Sequence, residues 1–366
     1  MMWMEKVNLS DICSPKQWKT IPTSDLLNEG YPVYGANGII GYYNEYNHEN
    51  PVVTVTCRGA TCGSINITVP KAYVTGNAMC LDDLKNDIEI EYLYYCLKHY
   101  DFKNVISGSA QPQITRQGMD KIYIMLCSRE EQRDIVNKLK KTEKVIKLRK
   151  QELQLLDDLV KARFVEMFGD PVSNPYGYDK VALSDLADIK IGPFGSLLHK
   201  EDYIVGGHPL LNPSHIVDGR ISPDNKLTIS DEKYKELSAY QLKTGDVVMG
   251  RRGEMGRCAV VSEEGFLCGT GSILIRTKGD VTADYIQKTI SFPSFKKTIE
   301  DMAVGQTMPN LNVPIVSSFE IIKPPIEVQD RYYALVEQVD KSKVEIQKAL
   351  NKTQMLFDSL MQEYFG

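Results

Sequence analysis

The sequence lacks the features that would place it in a membrane or an oxidising compartment. No stretch of its 366 residues approaches the roughly 18 consecutive apolar residues of a transmembrane helix. The N-terminal MMWMEKVNLSD has no charged start followed by an apolar stretch, so it does not resemble a signal peptide. The eight cysteines are scattered and form no C-x-x-C pair. We therefore expect a cytoplasmic protein with reduced, mostly buried thiols.

The sequence also lacks the motifs of common catalytic sites. It has no G-x-x-x-x-G-K-[ST] phosphate loop, and Gly269-x-Gly271 leads into the strand-like SILIRT instead of a helix. Asn174-Pro175-Tyr176 lacks the second proline of the amino-methyltransferase motif and is interpreted as a turn. The five histidines show no metal-ligand spacing. We expect no catalytic residue, no metal and no cofactor in this chain.

Charge of one sign does not dominate either. The 43 basic and 48 acidic residues give a net charge of −5, which argues against a general nucleic-acid coat but not against a local basic groove. Residues 128–170 are the only net-positive segment, with 11 basic and 9 acidic side chains. The length of 366 residues suggests two or three domains, and the 42% of hydrophobic residues provide enough apolar material for more than one core.

What the sequence does contain is an internal repeat. Residues 107–169 match residues 304–366 without a gap, from SGSAQPQIT and VGQTMPNLN to a final Phe-Gly in both copies. The starts of the two halves also match, because KVNLSDI from Lys6 resembles KVALSDL from Lys180. Arg58-Gly59 against Arg252-Gly253 is a weaker anchor between them. Each half therefore has a variable part followed by a more constant tail.

Both tails are predicted to be long helices. Residues 129–168 contain no proline or glycine and are rich in strong helix formers, and 40 residues would span about 60 Å. Apolar residues recur in both copies with the 4-3 spacing of a coiled coil, with polar interruptions. This seam is predicted to contain Ile135, Leu139, Ile146, Leu153, Leu156, Val160, Val336, Val339, Ile346, Leu350, Phe357 and Leu360.

The repeat and the helices together predict the fold class. The variable parts have short β-rich runs, such as NPVVTVTCRG and TGDVVMGRRG, and one helical stretch each, which indicates α+β domains. If the second helix returns antiparallel to the first, two globular domains are separated by a two-helix spacer with pseudo-two-fold symmetry. The predicted boundaries are domain 1 at 1–127, spacer helix 1 at 128–169, a linker and domain 2 at 170–325, and spacer helix 2 at 326–366.

The loops of both halves offer side chains suited to nucleic-acid recognition. Asn, Gln, Arg and Tyr can contact base edges, and Arg also binds phosphates. Each such residue alone is more typical of a turn or a solvated charge, so only their recurrence in both halves indicates a binding surface. The candidates are Tyr34, Asn37, Arg58, Gln111, Gln113 and Arg116 in the first half, and Asn212, His215, Arg251, Arg252, Arg257, Gln306, Asn310 and Asn312 in the second.

With this repeat, these helices and these loops, the chain resembles a known family, the specificity (S) subunits of Type I restriction–modification systems. The resemblance covers essentially the whole chain. It rests on the two domain starts, YPVYGANGIIGYY from Tyr31, the two SGSAQPQIT-type turns, Gln132 and Gln329 at the helix starts, and MFGDPVSNP from Met167. The second junction keeps a proline-rich IIKPPIEVQD, whereas the first reads IMLCSREEQRD without prolines, which leaves the start of helix 1 less defined.

The resemblance implies a division of labour. Each variable domain would be a target-recognition domain that reads one half of a gapped, double-stranded DNA site. The paired helices would set the gap and dock methyltransferase (modification) subunits, which an endonuclease/translocase (restriction) subunit would join. AdoMet, ATP and magnesium would belong to those partners, so this chain would not itself be an enzyme.

Two other function classes remain open from the sequence. A coiled-coil scaffold that binds only protein would use the same helices but would leave the two variable domains unexplained. A stand-alone adenine methyltransferase or nuclease would need an AdoMet motif or clustered catalytic carboxylates, and neither is evident in the sequence.

Overall fold

The structure is a computed structural model that describes residues 4–108, 111–303 and 310–366. The chain forms two compact units. Unit 1 comprises Met1–Leu153 with Glu345–Gly366, and unit 2 comprises Gln154–Val344. Each unit mixes strands and helices, in agreement with the predicted α+β composition.

Unit 1 is built on a four-stranded sheet in the order β2-β8-β5-β6. Beside it lies a three-stranded sheet, β4-β3-β7, whose β3–β7 pairing is parallel. Strand β1 pairs with β11, the last strand before the first long helix. The elements are β1 Glu5–Asn8, α1 Leu9–Ile12, β2 Ser14–Gln17, β3 Tyr31–Gly35, β4 Gly38–Tyr43, β5 Val53–Thr56, β6 Ile65–Ile67, β7 Tyr73–Val74, β8 Ala78–Asp82, α2 Ile90–His99, β9 Ile106–Ser107, β10 Gln113–Ile114, α3 Arg116–Met119 and β11 Tyr123–Leu126.

Unit 2 repeats this plan. Its sheet β13-β22-β19-β20 corresponds to that of unit 1, and β12 pairs with β23 as β1 pairs with β11. A second sheet has the order β14-β18-β15-β21, with a parallel β15–β21 pairing. The elements between the long helices are β12 Lys180–Ala182, α5 Leu183–Leu186, β13 Ala187–Ile191, β14 Tyr203–Ile204, β15 His208–Leu211, β16 Ile216–Val217, β17 Arg220–Ile221, β18 Thr228–Ile229, α6 Asp231–Glu236, β19 Val247–Gly250, β20 Cys258–Val260, β21 Leu267–Cys268, β22 Ser272–Thr277, α7 Ala283–Ile290, α8 Pro293–Met302, α9 Val313–Ser317 and β23 Glu320–Ile322.

The two long helices are α4, Arg129–Phe168, and α10, Ile326–Phe365. Helix α4 begins with a capping box: the Ser128 amide donates to the Glu131 carboxylate at 3.0 Å, and the Ser128 hydroxyl accepts from the Glu131 amide at 3.3 Å. This box defines the start of the helix that lacks prolines, while Pro325 directly precedes α10. Helix α4 ends before Gly169, whose φ of 76° is the left-handed conformation that glycine adopts most easily.

The predicted seam lies on the buried side of these helices. None of its twelve positions is exposed, and six of them are buried. Leu350 and Phe357 belong to the hydrophobic core of unit 1 together with Tyr92 and Leu97 of α2, so the end of α10 helps to build that core. In unit 2 the corresponding core contains Phe164, Phe168, Tyr285 and Tyr332. No helix in the described part of the chain has the length and apolar character needed to span a membrane.

Candidate nucleic-acid interface

In unit 1 the structure brings Arg58 and Gln113 together at the end of β5. Their backbones form an isolated antiparallel bridge, which the amide of Gly59 extends by donating to the Pro112 carbonyl at 3.1 Å. Both side chains are exposed. Asn37 contacts the turn that follows Arg58. Its Oδ1 accepts a hydrogen bond from the hydroxyl of Thr61 in that turn, at 2.6 Å.

Unit 2 repeats the same bridge with different residues. Arg252 follows β19 and pairs with Asn310, the residue that the internal repeat aligns with Gln113. The neighbouring Arg251 is fixed from three sides: its amide donates to the Gly271 carbonyl at 3.0 Å, its carbonyl accepts from Leu311, and its Nε donates to Asn310 Oδ1 at 3.0 Å. In each unit, therefore, an arginine that follows a sheet strand is paired with a residue near the start of the repeated tail.

The arginine pair of unit 2 lines a cavity of about 560 Å³. Arg252 is exposed, whereas Arg251 is half-buried. Burial and the charge of Arg252 lower the pKa of Arg251 from its ordinary value, but a guanidinium remains protonated at neutral pH. The lining residues are Ile191, Phe194, Arg251, Arg252, Thr270 and Gly271. Positive charge therefore borders an open, partly apolar depression.

Several other predicted contacts have internal roles instead. Tyr34 and His215 are only 7% and 5% exposed, which removes them from any surface that DNA could touch. The Tyr34 hydroxyl accepts from the Val69 amide at 3.2 Å, and His215 Nδ1 lies 2.8 Å from the Leu210 carbonyl oxygen. Tyr34 therefore lies in strand β3 and ties it to the segment around Val69, and His215 stabilises the turn after β15, so neither is the exposed loop residue that the sequence predicts.

Two asparagines also satisfy backbone amides. Asn212 Oδ1 accepts from the amide of Gly271 at 3.3 Å, next to the arginine cavity. Asn312 caps helix α9, since its Oδ1 accepts from the Ile315 amide at 3.0 Å. Their side-chain oxygens are occupied, so we assign both residues to the support of the loops.

Arg257 is engaged by an acidic neighbour. Its guanidinium donates to the Glu254 carboxylate at 2.8 Å and to the Pro213 carbonyl at 3.2 Å, and Lys296 reaches the same carboxylate at 2.9 Å. These cations lower the pKa of Glu254, which stays charged at neutral pH. Gln111 and Arg116 are exposed in unit 1, and Gln306 lies outside the described residues.

Sequence reasoning missed two clusters. Phe194 is 63% exposed beside the arginine pair, although an aromatic residue is by default assigned to the core. In unit 1, His48, Cys80 and Asp82 lie close enough to hold a metal ion. The carboxylate of Asp82 lies 2.9 Å from His48 Nε2 and accepts a hydrogen bond from Trp18 at 3.0 Å. Burial raises the pKa of the Cys80 thiol, which disfavours the thiolate that a metal would bind. We interpret this trio as an interior polar cluster.

Comparison with known proteins decides the family. The model of the Type I restriction modification DNA specificity domain matches residues 2–157 and again residues 175–353, once in each half. The chain belongs to this family. The predicted specificity subunit, with no catalytic activity of its own, is thereby confirmed, and so is its role in DNA recognition.

Individual relatives of this specificity subunit are distant. It is 20% identical over 323 residues to the Type I restriction enzyme MjaVIII specificity subunit of Methanocaldococcus jannaschii, which covers 80% of the chain and 75% of the relative. The solved structure of a Type I restriction–modification S subunit from M. genitalium is similar over 100% of the chain and 96% of its own length, with a TM-score of 0.64 at 14% identity. A chain from a study of assembly of the type I system gives a TM-score of 0.62 at 17% identity, with 99% and 97% coverage. At these identities the likeness concerns the fold.

Proposed function

We propose that this specificity subunit reads a two-part, gapped site in double-stranded DNA, one half with each unit. The observation that carries the proposal is the repeated backbone bridge, Arg58 with Gln113 and Arg252 with Asn310. In each unit it joins the segment after a sheet strand to a residue near the start of the repeated tail, and it presents an arginine to solvent. Arginine binds guanine edges and phosphates, so equivalent arginines suit equivalent readers of two half-sites.

We further propose that α4 and α10 form an antiparallel spacer that sets the gap. Contacts inside each unit support this course. In unit 1, Lys138 Nζ lies 3.5 Å from the Tyr364 hydroxyl, and Arg149 further along α4 reaches Thr353, earlier in α10. In unit 2, Asp157 pairs with Lys343. From the proposed antiparallel course we expect the two half-sites to be read in opposite orientations. Forty helical residues, about 60 Å, can accommodate half-sites one DNA turn apart.

The long helices are also the proposed docking surface for partner subunits. Leu159 and Leu356 are equivalent in the repeat, and both are exposed, at 41% and 53%. Leu155 and Met355 are exposed still further. Exposed apolar side chains at equivalent places support two equivalent docking sites for methyltransferase subunits. An endonuclease/translocase subunit would join that complex, AdoMet, ATP and magnesium would be bound by these partners, and the complex would act in the cytoplasm.

The test is co-expression with the methyltransferase subunit encoded beside this chain, followed by mapping of adenine methylation across the host genome. We expect a gapped two-part motif that is methylated only when the chain is present. Exchange of residues 1–127 for those of another family member should change one half of the motif and preserve the other. A stable complex that methylates no such motif would contradict the proposal and favour a protein-only scaffold.

Point variants test which unit reads which half of the motif. Arg58→Ala should relax or lose one half of the motif, and Arg252→Ala should affect the other half. The loss of one bidentate arginine contact corresponds to about 1–3 kcal/mol of discrimination. Lys103→Ala and Lys297→Ala remove exposed charges from unit 1 and unit 2, and serve as matched controls that should preserve the motif. Equal effects of Arg58→Ala on both halves would contradict the one-unit, one-half assignment.

A further inference from the structure

Phe194 is an exposed aromatic side chain on a firmly held backbone. The preceding residues Gly192 and Pro193 are buried. The Gly192 amide donates to the Ser272 carbonyl at 3.1 Å, and the Thr270 hydroxyl donates to the Pro193 carbonyl at 2.8 Å. The backbone that carries the ring is therefore tied to the turn before β22, while the ring itself is 63% exposed.

Glycine at position 192 is required by this close packing. A Cβ atom there would lie 2.0 Å from the backbone oxygen of Gly269, well inside van der Waals contact. The two backbone segments can therefore approach only because Gly192 carries no side chain. This close packing holds the backbone just before Phe194, so the exposed ring projects from a segment that is held in place.

The ring of Phe194 lies beside two positively charged side chains. Phe194 shares the lining of the cavity with Arg251 and Arg252, and Thr270, which anchors its loop, lines the same cavity. Arg251 is immobilised through Asn310, while Arg252 is exposed. Scattered exposed apolar residues are common on protein surfaces and need no function. A rigidly mounted ring beside two arginines has the composition of a site for a base and its adjoining phosphates.

We propose that Phe194 stacks against a base of the half-site read by unit 2, as a wedge at a partly opened base step, while Arg251 binds a flanking phosphate and Arg252 contacts a base edge of the same half-site. Apolar wedges of this kind unstack a base step and kink the duplex. The proposal rests on the proposed function, since it names the residue by which unit 2 distorts its DNA. It also identifies a contact that depends on base stacking and not on a hydrogen-bond code.

The experiment uses the full chain in complex with its methyltransferase subunit. The probe is a duplex that carries the mapped motif, with 2-aminopurine placed in turn at each position of the half that persists when residues 1–127 are exchanged. Unstacking of 2-aminopurine raises its fluorescence. We expect the wild-type complex to give this rise at one step, apart from the target adenine, which methyltransferases themselves extrude from the stack. Phe194→Ala should abolish the rise and weaken binding by about 5- to 150-fold, the range that corresponds to loss of one base stack.

Matched variants separate stacking from folding. Phe194→Tyr keeps an aromatic face and should retain both the fluorescence rise and the affinity. Val205→Ala removes another exposed apolar side chain of unit 2, 80% exposed, and should change neither. Phe194→Ala should leave the melting temperature unchanged, because the ring is mostly in solvent.

The outcomes distinguish this inference from the function on which it rests. A wild-type complex that methylates no two-part motif would overturn both. A wild-type complex that methylates and binds its motif, while Phe194→Ala does so equally well and with the same fluorescence, would overturn the wedge alone. Loss of the fluorescence rise with Phe194→Ala, together with its retention in Phe194→Tyr, would establish the wedge.

Discussion

The side-chain oxygen of Gln132 accepts a hydrogen bond from the backbone amide of Glu89 at 2.9 Å. Glu89 is the residue before helix α2, and the Gln132 amide group also donates to the Cys127 carbonyl at 3.0 Å. Unit 2 repeats the arrangement, because Gln329 accepts from the amide of Thr282, before α7, at 2.9 Å and donates to Pro324 at 2.9 Å. Both glutamines are essentially inaccessible to solvent. Each one links the start of a long helix to the start of the domain helix beside it.

We expect Gln132→Ala to lower the free energy of unfolding by about 1–3 kcal/mol, because it leaves a buried amide and a buried carbonyl without partners. Gln329→Ala should have a similar effect through unit 2. Gln151→Ala, at an exposed position of α4, is the control and should change stability by less than about 0.5 kcal/mol. Chemical denaturation followed by circular dichroism measures all three. Equal stability of Gln132→Ala and Gln151→Ala would show that the linkage is not important.

The two sides of the long helices should respond differently to the same substitution. Leu350 is 8% exposed in the core of unit 1, and Leu350→Ala should destabilise the protein by about 2–4 kcal/mol. Leu356 is 53% exposed, so Leu356→Ala combined with Leu159→Ala should barely move the melting temperature. The double variant should instead weaken binding of the methyltransferase subunit, measured by analytical ultracentrifugation. Unchanged binding would contradict docking on this face.

Acid should weaken the contact between Glu89 and the first turns of α4. Arg129 and Arg133 both reach the Glu89 carboxylate at 2.7 Å and lower its pKa. A carboxyl group with a lowered pKa in the folded state stabilises the protein above its unfolded pKa, near 4.3, and loses that contribution as pH falls through the folded pKa. Because the pairs are partly exposed, the contribution should be only about 0.5 kcal/mol.

Glu89→Gln should therefore be slightly less stable than the wild type at pH 7, and the difference should vanish at the acid end of the range. Urea denaturation of both proteins at pH 7 and at a series of pH values below 5 measures this difference in the free energy of unfolding. A constant difference at every pH would show that charge is not the cause.

Thiol reactivity should single out one cysteine. Seven of the eight cysteines are buried and Cys62 is half-buried. Burial raises the pKa of Cys13 and of Cys258 to about 12, so their reactive thiolate forms are scarce at neutral pH. Iodoacetamide at pH 7.5, with mass spectrometry, should modify Cys62 first. All eight should react in urea, and rapid labelling of Cys258 in the native protein would contradict its burial.

Removal of the carboxylate beside Arg257 should strengthen DNA binding. Glu254 neutralises Arg257 and Lys296, and the lowered pKa of Glu254 keeps it negative at neutral pH. Glu254→Gln would leave both cations available to phosphates, and we expect a several-fold higher affinity with a steeper salt dependence. Glu300→Gln, at an exposed position of α8, provides the comparison. Unchanged affinity would place this pair outside the DNA-facing surface.

Sequence reasoning predicted the long-range features of the fold better than its loops. The gap-free repeat equates Gln113 with Asn310, and both form a bridge with an arginine in the structure. The buried side of the long helices was also predictable, because burial along a helix follows a simple period and needs no knowledge of the rest of the fold, whereas the pairing of these positions in one seam stays a prediction. The domain boundaries and the identity of the DNA-contacting residues remain predictions.

The candidate site was less predictable for a physical reason. Asn212 and His215 have the same hydrogen-bonding groups whether they hold a loop or contact a base, so a single sequence does not separate the two roles. Phe194 presents the opposite problem. An aromatic residue is expected in the core, but Phe194 is exposed in the structure, next to a backbone segment that packs closely through Gly192 against Gly269. That approach depends on tertiary packing, which no local pattern encodes.

The order in which this protein is synthesised conflicts with the order in which its parts can be completed. The core of unit 1 includes Phe357, Met361 and Tyr364, and Phe365 packs against Tyr92 with ring centroids 5.4 Å apart. These residues are synthesised after the whole of unit 2, which separates them from the rest of unit 1 in the sequence. During translation the first part of unit 1 therefore exposes the apolar surface that the end of α10 later covers. A chain that stops before Glu345 leaves this surface exposed to aggregation or to chaperones.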